Sequence, residues 1–441
     1  MVNPNRASFE DKMLLTMFDA CDAAKDATQD DIDDRLAFLD AVRASSIGLE
    51  GGKPPSLKIC GVVFHMLRTV KSLQLIMACH KLLVDLEKHF PRAYLSDEDD
   101  SLSSSNAPPK LVVAEEAWSP LILGLDNAAV VSGASEKQSG GSLDPSSFHL
   151  LIQELAEILT DSNFQEKGMK LLQSLLLFQY LVIVLEGDFL PRNATMNWSL
   201  QRKSWLNMLL GSRKINYKSL MKNCIEVICL LCQPFENDNF HKSNTALFLA
   251  LAEVLKNTRV SIDKFLVMIL ALDVSKKKAD IEGNTSRSDG SRTPLVDIIL
   301  DELAYNKDNI PHFFKTISEP KWKTEIVVQY LWKYIPKPAA RTRRSSGVTE
   351  DTTFDGALKC FSNKTRTKSI IKKIGADVVQ LLLAHGFQAQ LSILSNSALV
   401  DLCREFISTF ESLRSTDGNM EILSIGKEAL FTAACVISMK S

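Results

Sequence analysis

"SALVDLCREFISTFESL", Ser397 to Leu413, is the stretch on which the fold turns. Apolar side chains fall at Leu399, Leu402, Cys403, Phe406, Ile407, Phe410 and Leu413. Steps of three and four put them on one stripe of an α-helix, with Arg404, Glu405 and Glu411 on the other face. "KWKTEIVVQYLWKYIPKP", from Lys321, repeats the pattern through Trp322, Ile326, Tyr330 and Leu331. Pro336 ends that helix, because the residue before a proline is pushed out of the αR region.

Working outward, the same period covers Phe9–Ala24, Asp31–Ser45, Ser56–Phe90, Ser146–Leu159, Gln165–Glu186, Ser199–Leu210, Tyr217–Cys232, Thr245–Lys256 and Ser261–Leu272. It resumes at Ser369–Ala384 and Met420–Ser438. Alternation by two is scarce, and "KLVVAEEAW" around Val112 is the best strand candidate. Consecutive helices over 441 residues exceed what one compact core holds, since cores stop growing beyond about 250–300 residues. The expected fold class is all-α, an irregular armadillo/HEAT-like helical stack without a fixed repeat.

Polar stretches divide the stack. "LSDEDDSLSSSNAPPK" and "SGASEKQSGGSLDPSS" are expected to be mobile acidic and Gly/Ser-rich loops, because they bury too little apolar surface to offset chain ordering. Between them, the apolar island around Trp118 is expected to dock on the helical body. "KPAARTRRSSGVTEDTT" reads as a basic linker. The resulting organisation is an N-terminal helical segment (1–95), an insert with a short docked stretch (96–145), a central stack (146–335), the linker (336–366) and a C-terminal helical segment (367–441).

Lys plus Arg is 51 and Asp plus Glu is 53, so the net charge is −2 and no global field attracts a polyanion. Nucleic-acid contact then requires a local patch. The opening "MVNPNRASFEDKM" has no apolar leader core, so free thiols in a reducing compartment are expected. The apolar run from Leu171 is broken by Gln173 and Gln179, and reads as a buried helix rather than a membrane span.

No constellation of residues assembles an active site. "CLLC", Cys229 to Cys232, has CxxC spacing, but there is no second pair to complete a zinc site, and the run is apolar and helical. No HExxH or GxSxG occurs. Catalytic residues, cofactors and metal ligands are accordingly expected to be absent.

The polar corner from Ala271 to Asn306 carries a lysine run, two glycines and two arginines. It lacks the GxxxxGK[ST] of a phosphate loop, and Thr293-Pro294 reads as a helix start with Thr as N-cap. Lys276, Lys277, Lys278, Arg287 and Arg292 are placed to converge on an acidic partner surface. Lys321 and Lys323 extend this set, and Arg341, Arg343 and Arg344 in the linker add further cations beside the phosphorylatable Ser345 and Ser346. A direct DNA-binding repressor using these cations is the alternative reading, disfavoured by the net charge and the lack of a recognised DNA motif.

"VSKKKADIEGNTSRSDGSRTPLVDIILDELAYN", "PKWKTEIVVQYLWKYIPKPAARTRR", "KKIGADVVQLLLAHGFQAQL" and "EILSIGKEALFTAACVI" closely resemble the family of plant negative regulators of systemic acquired resistance. "DRLAFLDAVRASS", "EEAWSP" and "PRNATMNWSL" extend the resemblance over nearly the whole chain. It implies a non-enzymatic, armadillo-like nuclear protein that lowers defence-gene expression and homologous recombination. It also implies membership of the five-six-type structural-maintenance-of-chromosomes (SMC) complex, beside a second non-SMC element subunit. No catalytic residue comes with the resemblance.

Overall fold

A computed structural model describes residues 28–48, 52–96, 110–115, 117–123, 142–160, 164–232, 245–286, 289–335, 352–394, 396–418 and 420–440. The chain forms an all-α helical stack in two compact units, Met1–Thr293 and Pro294–Ser441.

The first unit contains α1 (Gln29–Ser46), α2 (Leu57–Thr69), α3 (Leu73–His89), β1 (Ala93–Ser96), β2 (Lys110–Val113), α4 (Pro145–Thr160), α5 (Phe164–Ala194), α6 (Trp198–Gln201), α7 (Trp205–Leu210), α8 (Tyr217–Cys232) and α9 (Thr245–Ile281). Helix starts follow local chemistry. Thr28 and Asp31 form a reciprocal capping box on α1, and Ser56 and Ser204 cap α2 and α7 through their hydroxyl oxygens. The strand expected near Val112 is β2. It pairs antiparallel with β1, Ala93 opposite Val113 and Ser96 opposite Lys110.

At the heart of this unit, α5 packs on α9, α3 and α4. Leu171, Leu172, Leu175, Leu181, Leu185 and Phe189 on α5 are completely buried. Each contributes about 1.5–3 kcal/mol by leaving water. Phe148, Phe178 and Phe265 close a three-ring cluster with centroid separations of 5.8 to 6.5 Å. The segment Gly168–Ala194 is long and apolar enough to cross a membrane by length and composition, longer than the interrupted run suggested, but 78% of its most apolar window is buried inside the unit. The two glutamines that interrupt it serve packing. Gln173 donates to the carbonyls of Leu67 and Val70, and Gln179 donates to Val254 O and Thr258 Oγ1. The island around Trp118 does dock, its ring edge-on to Phe64 at 5.4 Å.

Four helix readings need correction, and a fifth, Phe9–Ala24, lies outside the described residues. Ser199–Leu210 is two short helices, α6 and α7, and Ser369–Ala384 crosses from one helix into the next at Gly375. Ser56–Phe90 is two helices, divided at Val70–Ser72. Conversely, Thr245–Lys256 and Ser261–Leu272 are parts of one 37-residue helix, α9, which also carries the lysine run. Within the gap between those two readings, Thr258 is fully buried, donating to Val254 O while accepting from Gln179.

The second unit contains α10 (Leu295–Tyr305), α11 (Asn309–Thr316), α12 (Pro320–Tyr334), α13 (Phe354–Cys360), α14 (Lys364–Ile374), α15 (Ala376–Leu391), α16 (Asn396–Thr416) and α17 (Ser424–Lys440). The stripe read from Ser397 onward faces inward on α16, with Leu402, Cys403, Phe406, Phe410 and Leu413 buried. Phe406 stacks on Phe387 of α15 at 4.2 Å. α12 ends at Tyr334, and Ile335 turns extended ahead of Pro336 as expected. The start of α10 lies one residue later than Thr-Pro suggested. Pro294 itself occupies the capping position, and no side chain caps the helix. Gly375, at φ 92°, joins α14 directly to α15, a backbone conformation that a Cβ would strain. The acidic and Gly/Ser-rich stretches expected to be mobile lie largely outside the described residues.

Candidate partner-binding surface

The corner is built from the end of α9 backwards. Gly283, at φ 73°, turns the chain, and the Asn284 N–H donates to Ala279 O at 2.8 Å. The loop then folds onto Asp289, whose side chain is 5% exposed. One carboxylate oxygen of Asp289 accepts the Ser286 N–H at 2.8 Å and the Trp198 indole N–H at 3.3 Å; the other lies 3.6 Å from Arg202 Nε. Burial pushes its pKa up, but the Ser286 and Trp198 hydrogen bonds and the Arg202 charge outweigh that and hold it below the usual value.

Two of the expected partner-facing cations turn inward to this loop. The Lys276 ammonium donates to the carbonyls of Asp289, at 3.1 Å, and Gly290. Arg292 places Nη2 2.8 Å and Nε 3.0 Å from Asp273 Oδ1, and its guanidinium lies 5.3 Å from the Tyr217 ring centroid. The corner is therefore a clamp between α6, α8 and α9. Lys277 and Lys278 stay exposed on the last turns of α9, Lys278 loosely paired with Glu282 at 3.9 Å. A polar cleft of about 430 Å³ opens beside them, lined in part by Asn197, Trp198, Ser199, Lys278, Glu282 and Asn284.

In the second unit, Lys321 is exposed, with its ammonium 4.9 Å from the Trp322 ring centroid. Lys323 is half-buried on the same helix; burial, and to a lesser degree the Lys323 charge, lower the pKa of His385 to about 4. Arg287, Arg341, Arg343 and Arg344 lie outside the described residues, as do Ser345 and Ser346.

Sequence reasoning missed a second polar assembly, around Asp188 of α5. This carboxylate is completely buried. It accepts from Arg192 Nε at 3.1 Å and from the first N–H of α7, Trp205, at 2.7 Å, and lies 3.5 Å from Arg92 Nε. Arg92 stacks over the Trp205 indole at 4.1 Å. Glu87 of α3 borders the group. Burial, then the Asp188 charge, push its pKa up to about 7, and the Arg92 charge opposes them. The cluster lies along a mainly apolar cavity of about 940 Å³ that includes Trp118, Tyr180 and Trp205 in its wall. An i,i+4 Asp188–Arg192 pair inside an apolar run was the one signal available in the sequence.

The CxxC cysteines sit on α8. Cys229 is buried, and loss of hydration pushes its thiol up to about 12, the opposite of a reactive thiolate. Among the described residues no group of three or more His, Cys, Asp or Glu side chains could hold a metal ion.

These features define a helical-stack protein whose described polar clusters hold its own loops and helix ends. The SNI1 middle domain matches residues 92–319 and the SNI1 C-terminal domain matches residues 335–441. The negative regulator of systemic acquired resistance SNI1 from Arabidopsis thaliana is 42% identical over 436 residues, covering 97% of this chain and 94% of that protein. The chain belongs to the SNI1 family. No solved structure matches it.

Proposed function

We propose that this chain is a non-enzymatic nuclear regulatory scaffold that restrains systemic acquired resistance and homologous recombination. It works as a subunit of an SMC-type genome-maintenance complex, held there by a second non-SMC element subunit. The observation that carries this reading is the 42% identity to a named negative regulator of systemic acquired resistance, running through both units. The fold is compatible with it, since stacked helices leave long external faces for other chains. Of the cations expected at the corner, exposed Lys277 and Lys278 are the proposed partner contacts, with exposed Lys321 on α12.

The test is complementation of an Arabidopsis line lacking the relative. Expression of this chain should restore low resting defence-gene expression and normal recombination frequency. The tagged chain should retain SMC and non-SMC subunits in nuclear extracts, identified by mass spectrometry. Restored defence control without those subunits would remove the complex from the mechanism. Failure to restore it in correctly folded, expressed protein would remove the regulatory reading.

A further inference from the structure

Net charge −2 leaves nucleic-acid contact to a local patch, and one lies on α14. From Lys359 to Lys373 inclusive the chain has six basic residues and no acidic one. Thr367, Ile370 and Ile374 bury one face of α14. Lys364, Lys368 and Lys372 recur every four residues on the opposite, exposed face. Among the described residues none of these three enters an ion pair. Neighbouring cations are differently occupied: Lys359 pairs with Asp355, and Lys373 reaches Tyr334 O at 3.5 Å.

This arrangement works against the helix. Like charges four apart repel, and Lys364 in the first turn opposes the helix dipole, while Lys372 and Lys373 in the last turn complement it. The helix is held by other means. Asn363 Oδ1 caps the N–H groups of Thr365 and Arg366, and the Thr367 hydroxyl bonds to the carbonyls of Phe361 and Asn363. A regular cationic row maintained against local stability calls for a polyanion.

The surroundings select among polyanions. Acidic peptides dock through buried aromatic or aliphatic anchors as well as charge, and the apolar residues of α14 are turned inward or half-covered. Single strands stack their bases on aromatic side chains, and α14 has none. Arg366, the side chain best suited to reading a guanine edge, is half-buried against Cys360 Sγ at 3.9 Å. We infer that the exposed face of α14, through Lys364, Lys368 and Lys372, binds the phosphate backbone of duplex DNA without reading its sequence.

The experiment is fluorescence anisotropy of the full chain with a labelled random-sequence duplex, titrated between roughly 50 and 200 mM salt. Binding should weaken steeply with salt. The K364Q/K368Q/K372Q variant should bind about tenfold or more weakly at low salt, its log–log salt slope shallower by about two to three, near one per lost phosphate contact. Glutamine has nearly the helix propensity of lysine, so an unchanged circular dichroism melt will confirm that the fold persists. K277Q/K278Q should bind like the wild type. The inference is overturned by absent binding at low salt, by equal binding of the triple variant, by loss in K277Q/K278Q instead, or by polyglutamate competing as well as duplex. The scaffold reading rests on other measurements and survives any of these results.

Discussion

Arg292 and Asp273 hold each other across the polar corner, two guanidinium nitrogens meeting a single carboxylate oxygen with both side chains only 14% exposed. Replacing Arg292 by alanine removes both of its hydrogen bonds to a mostly buried carboxylate and the cover over Tyr217. The expected cost is about 2 kcal/mol, seen as a lower denaturant midpoint. Lys277→Glu, on the exposed side of α9, should stay within about 0.5 kcal/mol of wild type. Charge reversal at Arg292 therefore tests folding of the corner before it tests any partner.

Asp188 is the more severe site. Asp188→Ala leaves Arg92 and Arg192 without their shared buried counter-ion and the Trp205 N–H without an acceptor. A loss of about 3–5 kcal/mol is expected, readable as a large fall in thermal midpoint or as insoluble expression.

Glu87 makes stability depend on pH. Its pKa rises from 4.5 to about 7 on folding, so between those values the folded chain binds more protons than the unfolded one. Its protonated form favours the folded state in acid, and that contribution fades as pH climbs through 7, by about 3 kcal/mol in all. His80 and His385, lowered from 6.5 to about 4 by burial, act in the other direction and gain stability as pH rises across that interval. Comparing Glu87→Gln with wild type isolates the first effect. The substitution should look roughly 2–3 kcal/mol less favourable near pH 4 than near pH 8. A constant difference across that range would contradict the assignment.

Gly386 on α15 faces Phe354 of α13. A Cβ there would stand 2.3 Å from Phe354 Cε2. Gly386→Ala should cost roughly 1–3 kcal/mol by overpacking despite alanine's better helix propensity, and Phe354→Leu should recover part of it. Chemical denaturation of the single and double variants measures both.

Helix identity was legible wherever an apolar stripe ran uninterrupted, as from Leu399 to Leu413. It failed where a polar residue found a distant partner. The helical reading of α9 stopped at Lys256 and resumed at Ser261, but Thr258 in that gap is bonded by Gln179, 79 positions earlier in the chain. The two-stranded sheet was half legible: both strands are four residues long, and β1, Ala93–Ser96, shows itself only through the partner it pairs with. At the corner, sequence showed which residues were charged but not which carbonyls or carboxylates would claim them. Lys276 and Arg292 turned inward while Lys277, between them, did not. The row on α14 was hidden because the helix was read from Ser369, past Lys364 and Lys368, whereas the capping Asn363 starts it five residues earlier.

The unbroken course of α9 couples places that look independent. Thr258 is keyed to α5, while Asp273, fifteen residues on, is keyed to Arg292. Those anchors lie about 22 Å apart along a single rod, and each residue turns that rod by about 100°. One inserted or deleted residue between them would swing Asp273 away from its mate and carry the exposed lysines to another bearing. Over this interval the chain can vary its side chains but not its length.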